Sequence, residues 1–163
     1  MIKYTFKYKY IHIHIYMSTE FYTKRIPYTE KKGKGNICLE VELQRVAHKY
    51  DFTPEIFDVS FYDDECVIVM ENLEELCLAD KYGDLAEHIP VEYWKQIRSI
   101  LSTLFEEEGI EYIDITPYNF IEKENKIYII DFGDAYYTHK SKKVNWFLKE
   151  VLDGYNGWNP DFK

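Results

Sequence analysis

Two short stretches constrain this chain more than any other part of it. Residues 112–121 read YIDITPYNFI and residues 129–133 read IIDFG. Asn119 follows Asp114 by five positions, and Asp131 follows Asn119 by twelve. Between them lie two short arms, Asn119–Glu122 and Lys126–Ile130, joined by the polar triplet Lys123-Glu124-Asn125. Arms of nearly equal length predict a hairpin. A hairpin returns Asp131 to the side of Asn119, so one carboxamide and two carboxylates are expected on neighbouring turns.

The segment before this pair supports the reading. Pro90 opens a helix at a position where its missing N–H costs nothing. Tyr93, Trp94, Ile97, Ile100, Leu101, Leu104 and Phe105 then recur at spacings of three and four, and Gly109 is expected to close the helix. Upstream, alternating residues 2–16 read as one strand, and Thr19–Ile26 as a second that stops at Pro27. A basic loop, 28–36, carries Gly33 and Gly35. Asn36 is the expected N-cap of a helix over Ile37–Tyr50. Two strands follow near Ile56–Tyr62 and Cys66–Met70. After Gly133 a last helix is expected over Ser141–Leu152, ended by Gly154.

The trio suits phosphoryl transfer, which is mostly positioning and charge neutralisation. Asp131, at the end of an apolar arm, is the candidate chelator of Mg²⁺ beside a triphosphate. Asn119 is a second metal ligand, through an amide oxygen that adds no charge. Asp114 orients a hydroxyl and takes its proton. Gly133 is expected to let the backbone turn sharply after Asp131.

In this order, behind a long amphipathic helix, these residues resemble the protein-kinase motifs D-x-x-x-x-N and D-F-G. The resemblance extends upstream over roughly residues 19–152. Val67-Ile-Val-Met-Glu-Asn-Leu73 resembles the fifth strand and hinge, which implies Met70 as gatekeeper and the backbone of Glu71 and Leu73 as the adenine contacts. Phe21-Tyr-Thr-Lys24-Arg-Ile26 resembles the third strand, which implies Lys24 on the phosphates. Its partner would be Glu40, which shares a face with Leu43 and Ala47, or else Glu42. The bland alternatives are an exposed strand lysine and a surface helix charge. Thr116, two residues after Asp114, and the pair Tyr118-Asn119 are similar to the short atypical branches, the RIO family and the small KEOPS-complex kinase.

The resemblance implies an α+β chain with a minimal two-lobed kinase-like fold. A small antiparallel-sheet N-lobe would span 1–70, a hinge 71–73 and a reduced helical C-lobe 74–163, all as one domain over 1–163. It implies ATP and Mg²⁺ as cofactors and a Ser/Thr protein kinase as the activity. Two other readings stay open: a pseudokinase that docks a partner protein, and a small-molecule phosphotransferase. Three departures bear on the choice. No glycine precedes Gly33, so the usual Gly-rich phosphate loop is missing, and the Gly33-Lys34-Gly35 loop is its only substitute in the sequence. Tyr112-Ile113 stands where a kinase carries His-Arg. The 30 residues after Gly133 leave no room for a long activation segment or peptide-docking helices.

Charge and cysteine content narrow the partners. Residues 1–35 hold eight Lys/Arg against two Glu, whereas residues 36–163 hold twelve against twenty-seven Asp/Glu, for −9 overall. That acidic bulk argues against duplex nucleic acid, whose affinity comes from phosphate neutralisation, and leaves a protein substrate or partner. No apolar run is long enough for a membrane span, and no signal peptide is read at the N-terminus. Cys38, Cys66 and Cys77 lack metal-ligand spacing and are expected to be buried reduced thiols of a cytoplasmic protein. His12 and His14 share a strand face without a third ligand, and filling of an aromatic face is the preferred account of them.

Overall fold

The computed structural model describes residues 2–8, 11–17, 21–30, 32–138 and 143–162; for the first two segments it describes the backbone alone. The region expected as one strand is two. Strands β1 (Ile2–Tyr8) and β2 (Ile11–Met17) pair antiparallel, with Tyr8 opposite Ile11. The side chains of His12 and His14 lie outside the described residues.

Strand β3 (Phe21–Pro27) follows, then helix α1 (Lys34–His48), β4 (Ile56–Phe61) and β5 (Glu65–Glu71). The sheet runs β3-β5-β4, antiparallel throughout. In β5, Cys66, Ile68 and Met70 join the core under α1 and Val67, on the other face, is buried as well, so the strand reads as a continuous Cys-Val-Ile-Val-Met run. Helix α1 begins earlier than expected, with Gly33 as its N-cap. Asn36 sits a turn inside, where its Oδ1 accepts the Gly33 N–H at 3.2 Å, so it satisfies a cap donor without being the cap. Ile37 and Val41 join Ile26, Cys66, Ile68 and Met70 in a core against the sheet. Leu43 and Ala47, on another face of α1, belong to a second and larger core.

That larger core is organised by α3 (Val91–Glu106), which follows a short helix α2 (Leu78–Tyr82) and one 3-10 turn at Ala86–His88. Trp94, Ile97, Ile100, Leu101 and Leu104 of α3 are all buried. Trp94 donates Nε1–H to the Ala86 carbonyl at 3.1 Å and packs on Trp158 at 4.5 Å between ring centres. Gly109, at φ 66°, turns the chain out of the helix into β6 (Ile110–Glu111).

The hairpin is present as β7 (Phe120–Lys123) and β8 (Lys126–Ile129). Glu124 and Asn125 both have positive φ, as the twist-matched two-residue turn requires. The Ile130 N–H reaches the Asn119 carbonyl at 2.9 Å, so Asn119 stands beside the residue before Asp131. Strand β9 (Tyr136–Tyr137) then pairs with β6. The last helix, α4, is shorter than expected and spans Trp146–Leu152. Asn145 fixes its start by accepting the N–H groups of Phe147 and Leu148 at 3.0 and 3.2 Å; residues 139–142 lie outside the described ones.

The cysteines are free, as expected, but not uniformly buried. Cys66 is buried, Cys77 is half-buried and Cys38 is exposed on α1. Among the described residues no helix is long and apolar enough to cross a membrane.

Candidate active site

Strand β3 and helix α1 meet through an ion pair. The Lys24 ammonium lies 2.6 Å from Glu40 Oε1 and 3.0 Å from Asp131 Oδ1. Glu40 is 2% exposed, so the reading of it as a surface helix charge is wrong. Burial alone would lower the Lys24 pKa, but the Asp131 and Glu40 carboxylates more than reverse it and hold the ammonium above its ordinary value. For Asp131 the same balance runs the other way. Burial pushes its carboxyl up, yet Lys24, the Gly133 N–H and Lys32 outweigh it and hold the pKa below the ordinary value.

Glu42 takes no part in this cluster. It is exposed and accepts the Tyr137 hydroxyl at 2.9 Å. Burial and that carboxylate push Tyr137 up to about 12.

The 112–119 loop supplies the other groups. Asn119, 8% exposed, donates its amide N–H to the Asp114 carbonyl at 3.1 Å. Asp114 is half-buried. Burial raises its carboxyl above the ordinary value, the Asn119 side chain opposes this, and the Asp134 and Asp131 charges add to the rise. The loop is braced from two sides that sequence reading missed. The Tyr112 hydroxyl, fully buried, reaches the carbonyls of Ile130 at 2.8 Å and Asp131 at 3.0 Å. Asn159, also buried, donates its side-chain N–H to the Ile113 carbonyl at 2.7 Å and its backbone N–H to the Ile115 carbonyl at 2.8 Å. Nothing in local sequence pairs Asn159 with a loop more than forty residues away; only the tertiary fold does.

Gly133 was expected to make the sharp turn. Asp131 makes it instead, at φ 58°, a left-handed conformation that is costly for a residue with a Cβ. Gly133 lies close under the charged cluster. A Cβ there would sit 2.7 Å from Lys32 Nζ, 3.1 Å from Asp131 Oδ1 and 3.4 Å from Glu40 Oε2. Lys32 was also missed. Four residues, Lys31 to Lys34, include three lysines, and their spacing does not say which one reaches inward.

Lys24 and Asp131 open onto a cleft of about 290 Å³, which Met70, Glu71 and Leu73 also line. That volume is near the lower end for small-molecule sites, roughly 300–1,000 Å³. Gln44 backs it, with Nε2 on the Pro54 carbonyl at 3.1 Å and 3.7 Å from Met70 Sδ. The Glu71 N–H is not available to a ligand, because it donates to the Glu55 carbonyl at 2.8 Å. Among the described residues no three His, Cys, Asp or Glu side chains stand close enough to hold a metal by themselves.

The chain matches none of the curated proteins with which it was compared. The RIO domain family model matches residues 7–152, which include Lys24, Glu40, Asp114, Asn119 and Asp131. The chain therefore belongs to the RIO domain family, with the kinase-like α+β fold of that family.

Proposed function

We propose that this protein is an ATP- and magnesium-dependent phosphotransferase, a compact atypical Ser/Thr protein kinase. The observation that carries the reading is Lys24, bridging a buried Glu40 and Asp131 at the mouth of a cleft of about 290 Å³. In this reading residues 1–70 form a sheet lobe, 71–73 a hinge and 74–163 a mainly helical lobe. The smaller core is built wholly from residues 26–70 and the larger one mostly from residues 78–151, with Leu43 and Ala47 of α1 reaching into it. Adenine would enter against Met70 and bond to the hinge through the Glu71 carbonyl and the Leu73 N–H.

Lys24 would bind the phosphates, and Glu40 would keep it pointed there. Asp131 and the Asn119 amide oxygen would hold Mg²⁺, whose charge offsets the charge that develops on the transferred group. Two protein oxygens with the remaining positions filled by phosphate and water are enough for this ion. Asp114 would accept the proton of the attacking hydroxyl as the new P–O bond forms and the bond to the β-phosphate oxygen breaks, releasing ADP. The exposed free thiol of Cys38 is in keeping with a reducing, cytoplasmic setting.

The second reading is a pseudokinase that docks a partner protein, and the lack of any glycine before Gly33 favours it. Transfer of label from γ-labelled ATP to protein, including the chain itself, separates the two. Magnesium-dependent incorporation that Asp131→Ala abolishes is expected. Nucleotide binding with no incorporation in any protein mixture favours the pseudokinase.

A further inference from the structure

One buried carboxylate in this site carries two cations. Glu40 gives Oε1 to Lys24, and its Oε2 stands 2.9 Å from the Lys32 ammonium. Glu40 and Asp131 are two carboxylates, and Lys24 and Lys32 are the two ammonium groups that balance them. The Lys32 contact is ionic and makes no directed hydrogen bond to Oε2. An ammonium has three donors, and the Lys32 side chain remains 32% exposed, so donors remain for something outside the protein. Lys32 also contributes to the low pKa of Asp131, which puts its charge within reach of the second carboxylate. The ammonium sits close against residue 133, where a Cβ would be 2.7 Å from it and would shift it from this position. The site lacks a Gly-rich segment ahead of Lys24, whose backbone amides would otherwise face a polyphosphate.

We propose that Lys32 is a second polyphosphate-binding lysine, which supplies from the N-terminal approach to α1 the positive charge that a Gly-rich loop does not provide here. Glu40 then positions both lysines, one from β3 and one from the loop before its own helix. A triphosphate arriving between Lys24 and Asp131 draws Lys32 from Glu40 Oε2 onto its oxygens, and Glu40 keeps Lys24 as its partner.

This inference rests on the nucleotide reading of the cleft, and one set of titrations tests both. Adenosine, ADP and ATP with Mg²⁺ are titrated by calorimetry into the wild type, Lys32→Ala, Lys32→Gln and Lys32→Arg. Charge-assisted bonds of this kind change affinity by about tenfold or more. The expected result is that Lys32→Ala and Lys32→Gln weaken ATP by that factor and leave adenosine unchanged. Lys32→Arg should retain most of the ATP affinity, and the salt dependence of ATP binding should flatten in the two uncharged variants. Equal loss for adenosine and ATP would make Lys32 a structural clamp on Glu40 and overturn the proposal. Unchanged ATP affinity in Lys32→Ala would overturn it while leaving the nucleotide reading intact. A wild type that binds none of the three would remove the nucleotide reading and Lys32 with it.

Discussion

Replacing Asp114 by alanine is expected to slow phosphoryl transfer about 10²–10⁴-fold, the usual worth of a positioned general base, and to leave nucleotide affinity nearly unchanged. Asp114 is not part of the Lys24–Glu40–Asp131 cluster; its loop is held by backbone bonds from Asn119, Tyr112 and Asn159. Removing the carboxylate therefore removes chemistry without removing the site. The pH dependence should agree. Burial raises the Asp114 carboxyl above its ordinary value, and Asp134 adds to this. Only the ionised form accepts a proton, so the rate falls as pH drops through that raised pKa, and the acid limb lies above that of an ordinary aspartate. The Asn119 side chain lowers the Asp114 pKa, so Asn119→Ala should move the limb to still higher pH. Initial rates across pH for the three proteins check this. A full rate in Asp114→Ala would show that another group takes the proton.

The second large effect is on stability. Phe132 is fully buried, and its ring meets the Tyr112 ring edge-on at 5.4 Å. Phe132→Ala is expected to cost about 3–5 kcal/mol, the sum of lost transfer energy and the cavity left behind. In a domain of this size that is a fall in Tm of roughly 6–20 °C. Function should suffer too. The Phe132 ring seats Tyr112, and the Tyr112 hydroxyl secures the carbonyls of Ile130 and Asp131 in a strained backbone. Loosening that strain should let Asp131 leave its left-handed conformation, and magnesium-nucleotide affinity should drop along with stability. Thermal unfolding with and without nucleotide measures both. A Tm within about 2 °C of wild type would mean the core closes over the gap at almost no cost.

What the sequence makes legible follows from how strong each local signal is. The β7–β8 hairpin, α3 and β5 are readable because turn chemistry, a long 3.6-residue period and an unbroken apolar run each leave little choice. The Lys24–Glu40 contact is readable because Glu40 lies on the apolar face of its helix, with Leu43 and Ala47, while Glu42 points away. The split of residues 2–17 into two strands is not, since the aromatic alternation runs through without a glycine, proline or asparagine to mark a turn. The first turns of α1 and α4 are set by single caps, Gly33 and Asn145, in stretches where several residues are plausible caps. The two-residue strands β6 and β9 exist only through each other. In the site, the left-handed Asp131, the reach of Lys32 and the brace from Asn159 are products of tertiary closure, which no local pattern encodes.

Lys24, Asp131 and the cleft beside them are proposed to form a magnesium-nucleotide site. The most direct test is the heat stability of the wild type and Asp131→Ala, titrated with ATP in the presence and absence of Mg²⁺. A ligand bound only by the folded state stabilises it by about 2.7 kcal/mol at a hundredfold excess over Kd, roughly 5–10 °C for a domain of this size. The wild type should show that shift with Mg²⁺ present, and Asp131→Ala should lose the magnesium-dependent part of it. A wild-type Tm that does not move at any concentration of ATP and Mg²⁺ would mean that the cleft is not a nucleotide site.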